Sequence, residues 1–173
     1  MLTSPMNYTV IAIIVLAILC SCAYIVPQQQ AFIIERFGKF HTVSLAGLHF
    51  KIPFIDRIAH KTGLRVQQLM VKVETKTLDN VFVNVVVSTQ FRVDSSNVAT
   101  AYYELGDPAG QLRSYMEDAL RSAIPQLSLD DAFARKDDVA RDVQETVGAE
   151  MARFGFTVVK SLITAIDPSE QVK

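Results

Sequence analysis

The chain has 173 residues, a length that suits one compact unit or two small subdomains with appendages. Its formal net charge is −1, so no net field of the protein would recruit nucleic acid or an acidic substrate. Both cysteines, Cys20 and Cys22, lie in an apolar N-terminal run, which excludes a disulfide framework and a thiolate zinc site from the remainder of the chain.

The first predicted element is an uncharged segment, Tyr8 to Val26, in which ten of nineteen residues are Ile, Leu or Val. As a helix it would be about 28 Å long, close to the hydrocarbon thickness of a bilayer, with a tyrosine near each end. We therefore predict a transmembrane anchor that stays attached to the protein. Its principal residues are Tyr8, Ile11, Ile14, Val15, Leu16, Ile18, Leu19, Tyr24, Ile25 and Val26.

The same segment allows a second interpretation, a cleaved export signal. Ser21, Cys22 and Ala23 are small residues at a spacing typical of signal peptidase sites, and residues 19–22 resemble a lipoprotein cleavage box. Cleavage there would give an exported lipoprotein that acts as a binding module. Against it, no Lys or Arg precedes the apolar core, and the core is longer than that of a usual signal.

Positive charge follows the apolar segment. Six Lys or Arg side chains lie between positions 35 and 65, against only two carboxylates. Because positive charge tends to remain on the cytoplasmic side, we predict a single-pass protein with its N-terminus outside and its folded part in the cytoplasm. Cys20 and Cys22 would then lie toward the inner leaflet, either as acylation sites in a eukaryotic cell or simply as small apolar residues of the helix.

Beyond Pro27, which is expected to end the helix, the pattern predicts strands. Residues 31–37 form one strand, and Gly38-Lys39 turns the chain into a second at residues 40–43. The apolar residues 44–58 predict short strands and turns close to the bilayer surface. Three basic side chains in this region would either meet anionic headgroups or be solvated: Lys51, Arg57 and Lys61.

The clearest strand pattern runs from Val81 to Ser88, where every second residue is valine, and continues to Val93. A second alternating run covers residues 69–74. Between the two runs, Asp79-Asn80 supplies turn chemistry. These features predict a long antiparallel hairpin with one buried face.

From Asn97 the pattern becomes helical. A short helix over residues 97–105 is expected to end at Gly106. Asp107-Pro108 then caps and begins a second helix, in which apolar residues repeat at helical spacing from Leu112 to Ile124.

Two further helix starts follow. Ser128 with Asp131 is a capping arrangement, and Asp137 is expected to cap the last helix and to pair with Arg141. The predicted buried stripe of that helix consists of Val139, Val143, Val147, Met151 and Phe154. After Gly155, residues 156–166 predict a final strand. Residues 167–173 resemble the cap and first turn of another helix, so we interpret the chain as the front part of a longer protein.

Catalytic signatures are absent from the sequence, which has no H-E-x-x-H, G-x-S-x-G or phosphate-binding glycine loop. His41, His49 and His60 lack the spacing of metal ligands. A triad of one of them with Ser and Asp is left open by counting alone, so a membrane-tethered serine hydrolase remains an alternative, although no serine lies on a recognisable nucleophile turn. We predict no enzymatic activity, no cofactor and no metal.

Several stretches are similar to the stomatin–prohibitin–flotillin (SPFH, or band 7) superfamily: "ERFGKF", "AGLHFKIPFIDRI", "KTLDNVFVNV", "LDDAFARKDDVA" and "FGFTVVKSLITAIDPSEQVK". The resemblance covers nearly all residues after Pro27 and is closest to stomatin-like and hypersensitive-induced-reaction-type proteins. It implies an α+β fold in which the anchor (1–26) precedes a β-rich antiparallel subdomain (27–96), an α/β subdomain (97–166) and the start of a helical segment (167–173).

The resemblance also implies a function without catalytic residues. Family members form membrane-bound rings or cages, organise lipid and protein into microdomains, and regulate membrane proteases or channels. The expected partners are therefore membrane lipids, further copies of the chain, and a membrane protease or channel. Two surfaces are either contacts between copies or ordinary solvated surface. They are the outward face of the 112–124 helix and the charged face of the last helix, which carries Arg135, Lys136, Asp138, Asp142, Glu145 and Glu150.

Overall fold

The computed structural model describes Ile13 and residues 22–168, which divide into two compact units between Leu64 and Arg65. The first unit contains β1 (Ala23–Val26), β2 (Gln30–Arg36), β3 (Lys39–Ser44), β4 (Gly47–Phe50) and β5 (Asp56–Gly63). The second contains β6 (Gln67–Lys76), β7 (Phe82–Val93), α1 (Val98–Tyr103), α2 (Pro108–Ala123), a 3-10 turn (Ile124–Gln126), α3 (Leu129–Ala134), α4 (Lys136–Arg153) and β8 (Phe156–Pro168).

The first unit consists of two small antiparallel sheets, β1-β4 and β3-β2-β5. Val26, Phe32 and Ile34 form a buried cluster between them, with Tyr24 and Ile58 packed against it. The Tyr24 ring stacks on Phe32 with a centroid distance of 6.3 Å, and its hydroxyl lies 2.6 Å from that of Ser44. A tyrosine thus fills the core while its polar end keeps a hydrogen-bond partner.

The helix predicted to run through Val26 is wrong over its last four residues, because Ala23–Val26 form β1 instead. Their backbone groups pair with Gly47–Phe50, and Val26 is buried in the core of the unit. Tyr24, Ile25 and Val26 are therefore strand residues. Within the described part of the chain, no helix combines the length and hydropathy that crossing a membrane requires.

The other residues predicted for the anchor lie outside the described residues. They are Tyr8, Ile11, Ile14, Val15, Leu16, Ile18 and Leu19, together with the candidate acylation site Cys20. Cys22, the other acylation candidate, is half-buried directly before β1.

An ion pair joins the ends of β2 and β5. Arg36 donates from Nε to Asp56 Oδ1 over 2.7 Å and from Nη2 to Oδ2 over 3.1 Å, a bidentate geometry. The Ile52 backbone N–H donates to the same carboxylate over 2.8 Å. The hydrogen bonds from Arg36, followed by that from Ile52, lower the pKa of the buried Asp56 to about 2.

The second unit is built on the predicted hairpin, which is confirmed. β7 is the central strand of an antiparallel sheet in the order β6-β7-β8. Val83, Val85 and Val87 are fully buried, as the alternation predicts, and Val71 and Val73 of β6 share their face. The helices α2 and α4 cover this face with buried stripes led by Leu112, Met116, Leu120, Val143, Val147 and Met151.

Two predicted helix caps are confirmed and one is wrong. The Asp107 carboxylate accepts from Gly110 N–H at the start of α2, and the Ser128 hydroxyl accepts from Asp131 N–H at the start of α3. Asp137, by contrast, lies within the first turn of α4, whose N-cap is Arg135. Arg141 consequently pairs with Asp138, one turn back at 3.2 Å, and not with Asp137.

The boundary between the units differs from the predicted division at residues 96 and 97. β7 pairs with β8 along almost its entire length, from Val83↔Pro168 to Val93↔Phe156. This pairing joins the hairpin to the helical part, whereas the change of sequence pattern at Asn97 suggests a division there. β8 also extends through Asp167 and Pro168, which were predicted to begin a helix, while residues 169–173 lie outside the described residues.

Asp56→Asn is expected to lower the melting temperature at neutral pH, with a difference from wild type that shrinks in acid. The folded pKa of about 2 lies below the ordinary value of 3.8, so the stabilisation is complete above the ordinary pKa and is lost as pH falls toward about 2. Circular-dichroism melts of the full chain in mild detergent across this range measure the effect. Glu104→Gln, at an exposed carboxyl, is the control, and a constant difference across pH would contradict the assignment.

Gly155→Ala is expected to destabilise the second unit by about 2 kcal/mol or more. Gly155 ends α4 with φ +76°, and an added Cβ would lie 2.6 Å from the Asn97 carbonyl oxygen. This oxygen is a backbone atom, so it cannot shift without distorting the main chain. Gly106→Ala is the matched control, because its added Cβ meets nothing within 4 Å. Urea unfolding measures both variants, and equal losses would show that the close approach at Gly155 is unimportant.

Candidate interaction surfaces

The polypeptide enters the first unit at the end where β1 begins and β4 finishes. The Cys22 carbonyl accepts a hydrogen bond from Lys51 N–H over 2.8 Å, and Ala23 lies opposite Phe50. Because β1 and β4 are antiparallel, the loop that follows β4 begins at the point where the chain enters. The opposite end of the unit carries Gln29 and Leu64, whose backbone groups are hydrogen-bonded to each other at 2.9 Å.

The Arg36–Asp56 ion pair brings the β2–β3 turn to this same end. Asp56 accepts from Ile52 in the loop after β4, and its partner Arg36 immediately precedes the turn at Phe37-Gly38. Hydrogen bonds therefore link the chain entry, the β4–β5 loop and the β2–β3 turn.

Four large apolar side chains at this end are exposed to solvent. Their exposed fractions are 81% for Phe37, 74% for Phe50, 47% for Ile52 and 99% for Phe54. We call this set the aromatic end. Phe37 and Phe54 also have positive φ angles of 51° and 70°, which are uncommon for bulky residues.

The three basic residues predicted to contact lipid headgroups do not all lie at the same place in the structure. Lys51 adjoins the aromatic end, and Arg57 lies there as well, opposite Glu35 at the start of β5. Lys61 lies farther along β5, opposite Phe32, with its Nζ 5.0 Å from the centroid of that ring. Lys39 lies opposite Arg36, at the same end of the unit as Lys51 and Arg57, and was not among the residues predicted to contact headgroups.

The charged residues predicted as contacts between copies lie on or next to α4. Arg135, Lys136, Asp138, Asp142 and Glu145 are exposed, and Glu150 is half-buried. Two of them are held in ion pairs along the helix, Asp138 with Arg141 and Glu150 with Arg153, both at 3.2 Å.

A groove of about 500 Å³ separates α2 from α4 on the surface of the second unit. Its apolar lining includes Ala119, Ala123 and Val147, and its acidic lining consists of Asp118, Asp142 and Glu150. The structure thus brings two of the predicted contact residues, Asp142 and Glu150, to one groove with the α2 face, whereas Arg135 and Lys136 lie at the junction of α3 and α4.

The three histidines lie on three different strands of the first unit. His49 is fixed by a 2.6 Å hydrogen bond between Nε2 and the Leu45 carbonyl and by stacking on Tyr24. His41 lies on β3 and His60 on β5. Among the residues that the structure describes, no group of three or more His, Cys, Asp and Glu side chains could hold a metal ion.

The sequence alone did not reveal the aromatic end. Its apolar residues resemble core residues of short strands, and only the hydrogen bonds of Asp56 show that the loop and the turn meet. One feature of the sequence could have indicated this group of residues. Phe37-Gly38 forms a two-residue turn, and the first residue of such a turn is usually polar.

Comparison with known proteins gives a consistent set of relatives. The chain is 34% identical over 155 residues to Hypersensitive-induced response protein 4 of Arabidopsis thaliana, covering 89% of this chain and 53% of that protein. It is 28% identical over 149 residues to Stomatin-like protein 2, mitochondrial, of Homo sapiens, covering 86% and 41%. It is 26% identical over 138 residues to Stomatin-like protein stl-1 of Caenorhabditis elegans, covering 78% and 41%.

The chain spans about half the length of these relatives or somewhat less. The model of the SPFH domain / Band 7 family matches residues 24–173, which include both structural units. Since this match covers most of the sequence, and the fold combines a β-rich unit with an α/β unit, the chain belongs to the SPFH domain / Band 7 family.

Proposed function

We propose that the chain is a membrane-anchored scaffold subunit that assembles into rings or cages, organises membrane microdomains and regulates membrane partners such as a protease or a channel. The observation that carries the proposal is the family match over residues 24–173, directly after a charge-free apolar run. In this proposal the chain is not an enzyme: its side chains contact lipids and other protein chains and carry out no reaction.

The proposed topology follows from the charges beyond the apolar run. Arg36, Lys39, Lys51 and Arg57 lie at the end of the first unit where the chain enters. Basic residues close to a membrane segment favour the cytoplasmic side, so the N-terminus lies outside and both units lie in the cytoplasm. Cys22 would then be at the inner leaflet, within reach of acylation.

The proposed assembly uses the second unit. The groove between α2 and α4 combines an apolar floor with acidic rims, which suits a neighbouring copy that presents apolar and basic side chains. A head-to-tail contact of this kind closes into a ring when the rotation between copies permits. Each contact can be weak, because anchoring in one membrane raises the effective concentration of neighbouring copies.

The full chain solubilised in detergent is expected to elute as a large particle, with a mass many times that of one chain. Asp142→Lys, at the lining of the groove, should shift it toward the monomer, because the new positive charge would repel a basic neighbour. Size-exclusion chromatography with light scattering measures the mass.

Glu104→Lys is the control for this assembly test, since it makes the same change of charge at an exposed site away from α4. It should leave the particle size unchanged. A wild-type chain that is monomeric at micromolar concentration would contradict the proposed self-assembly of residues 1–173.

The mature protein purified from membranes is expected to retain residues 1–21, because the apolar run serves as an anchor. Intact-mass spectrometry tests this directly, and a mass increment of one fatty acyl chain on the intact polypeptide would locate an acylated cysteine. Loss of residues 1–21 together with lipid on Cys22 would instead support the exported lipoprotein and reverse the proposed topology.

A further inference from the structure

We infer that neighbouring copies of the chain join edge to edge in one continuous sheet, with the outer edge of β8 in one copy beside the outer edge of β6 in the next. This inference rests on the proposed function, because it takes every copy to be anchored in the same membrane. It deepens the proposed assembly by naming a contact separate from the α2–α4 groove, and the two side chains that meet there, Met70 and Leu162.

Both edges of the sheet in the second unit are long and uncovered by a strand. β7 is the middle strand of the order β6-β7-β8, and within the described part of the chain no further strand lies beside β6 or β8. The two edge strands have ten and thirteen residues. Native proteins usually shorten or cover such edges, because free N–H and C=O groups are a template for another strand. Two long edges in one sheet therefore indicate that a strand of another chain pairs with them.

One part of the β8 edge already binds a partner in the manner of a strand. The side-chain amide of Gln144 accepts from the Ser161 N–H over 3.1 Å and donates to the Val159 carbonyl over 3.4 Å. An adjacent strand makes the same two kinds of hydrogen bond. Beyond Ser161, a cavity of about 290 Å³ lined by Phe133, Lys136 and residues 163–167 leaves room along the same edge.

The two edges carry matching apolar side chains at the same level of the sheet. Ser88 of β7 lies opposite Met70 on β6 and opposite Leu162 on β8, so the three residues form one row. Residues in one row share a face, and Met70 points away from the helices because its neighbour Val71 is buried beneath them. Met70 is 60% exposed and Leu162 is 40% exposed. A neighbouring copy at the same height would cover one with the other.

The membrane supplies the alignment that this contact needs. β6 and β8 are both antiparallel to β7, so they run in the same direction and can pair as parallel strands in copies related by rotation about the membrane normal. Copies anchored in one bilayer are held at one height, which places Leu162 of one copy beside Met70 of the next. The contact is head-to-tail, so its repetition closes into a ring when the rotation permits.

The test uses the absence of cysteine after Cys22. In a full chain that carries Cys20→Ser and Cys22→Ser, the pair Met70→Cys and Leu162→Cys gives each copy one thiol at each edge. The protein is reconstituted into phosphatidylcholine vesicles and oxidised with copper phenanthroline, and the products are separated by denaturing electrophoresis. Neighbouring strands bring their Cα atoms to about 4.8 Å, within the range that a disulfide spans.

The inference predicts a ladder of disulfide-linked dimers, trimers and larger species, because every copy links to two neighbours. Each single-cysteine variant should remain monomeric on the gel, since each thiol meets the other edge and not its own counterpart. A dimer from Leu162→Cys alone would overturn the head-to-tail arrangement. Absence of a ladder from the pair would overturn the contact itself.

Two further pairs control for place and register. Leu78→Cys with Leu162→Cys moves the first thiol to a loop of the same unit that is 68% exposed, and should give no ladder. Glu74→Cys with Leu162→Cys keeps the thiol on the β6 edge but about 13 Å along the strand, and should link far less. Equal yields with the thiol at position 70 and at position 74 would overturn the alignment of Met70 with Leu162.

Charge provides a gain of association that loss of folding cannot imitate. Glu74 and Asp167 lie in one row through Asn84, so the edge contact brings their carboxylates together, with Lys72 diagonal to Asp167. Glu74→Lys in the cross-linking background replaces a repulsion with an attraction and should strengthen association about two- to fivefold. Glu104→Lys makes the same change of charge away from the sheet and should have no effect. A ladder that Glu74→Lys leaves unchanged would show that these edges do not meet.

The outcome also separates this inference from the proposed function. α2 packs against β6 and α4 against β8, so the groove between the helices lies over the middle of the sheet and away from both edges. A chain that elutes as a large particle in detergent but forms no ladder in vesicles would refute the edge contact and leave assembly through the groove. A chain that is monomeric in both measurements would refute both.

Discussion

The half-buried ion pair between Arg36 and Asp56 fixes the end of the first unit at which the chain enters. Arg36 precedes the β2–β3 turn, while Asp56 begins β5 and accepts from the β4–β5 loop. Removing one member would leave the other without its compensation, so the pair holds the turn and the loop in one geometry as well as stabilising the unit. Because its bidentate form admits little variation, Phe37 and Ile52 are held at the same end.

The second unit depends on a different constraint, the central position of β7. Its valines at alternate positions face α2 and α4, and β6 and β8 occupy its two edges. Of the buried polar groups here, Thr89 and Ser161 lie 3.2 Å apart and satisfy each other. A core closed in this way leaves the outer faces of the helices and the α2–α4 groove exposed.

Local patterns were sufficient to predict most elements, because each depends on neighbouring residues. The valine alternation of β7, the Asp107 and Ser128 caps and the Gly155 helix end are examples. Non-local pairing could not be predicted in this way. Ala23–Val26 continue an apolar run by composition, yet they form β1 because Gly47–Phe50 offer backbone partners. For the same reason β8, far along the chain, determines the unit to which β7 belongs.

The proposed anchor and the proposed lateral contact between copies support each other physically. An anchor alone lets a domain tilt and rotate freely, so its lateral surfaces meet those of neighbours in many orientations. In the proposed arrangement the anchor confines every copy to one plane with the same side facing the membrane, which removes part of that freedom before any neighbour arrives. Part of the orientational entropy that association would otherwise cost is then already lost, so weaker lateral contacts would be sufficient for the proposed assembly.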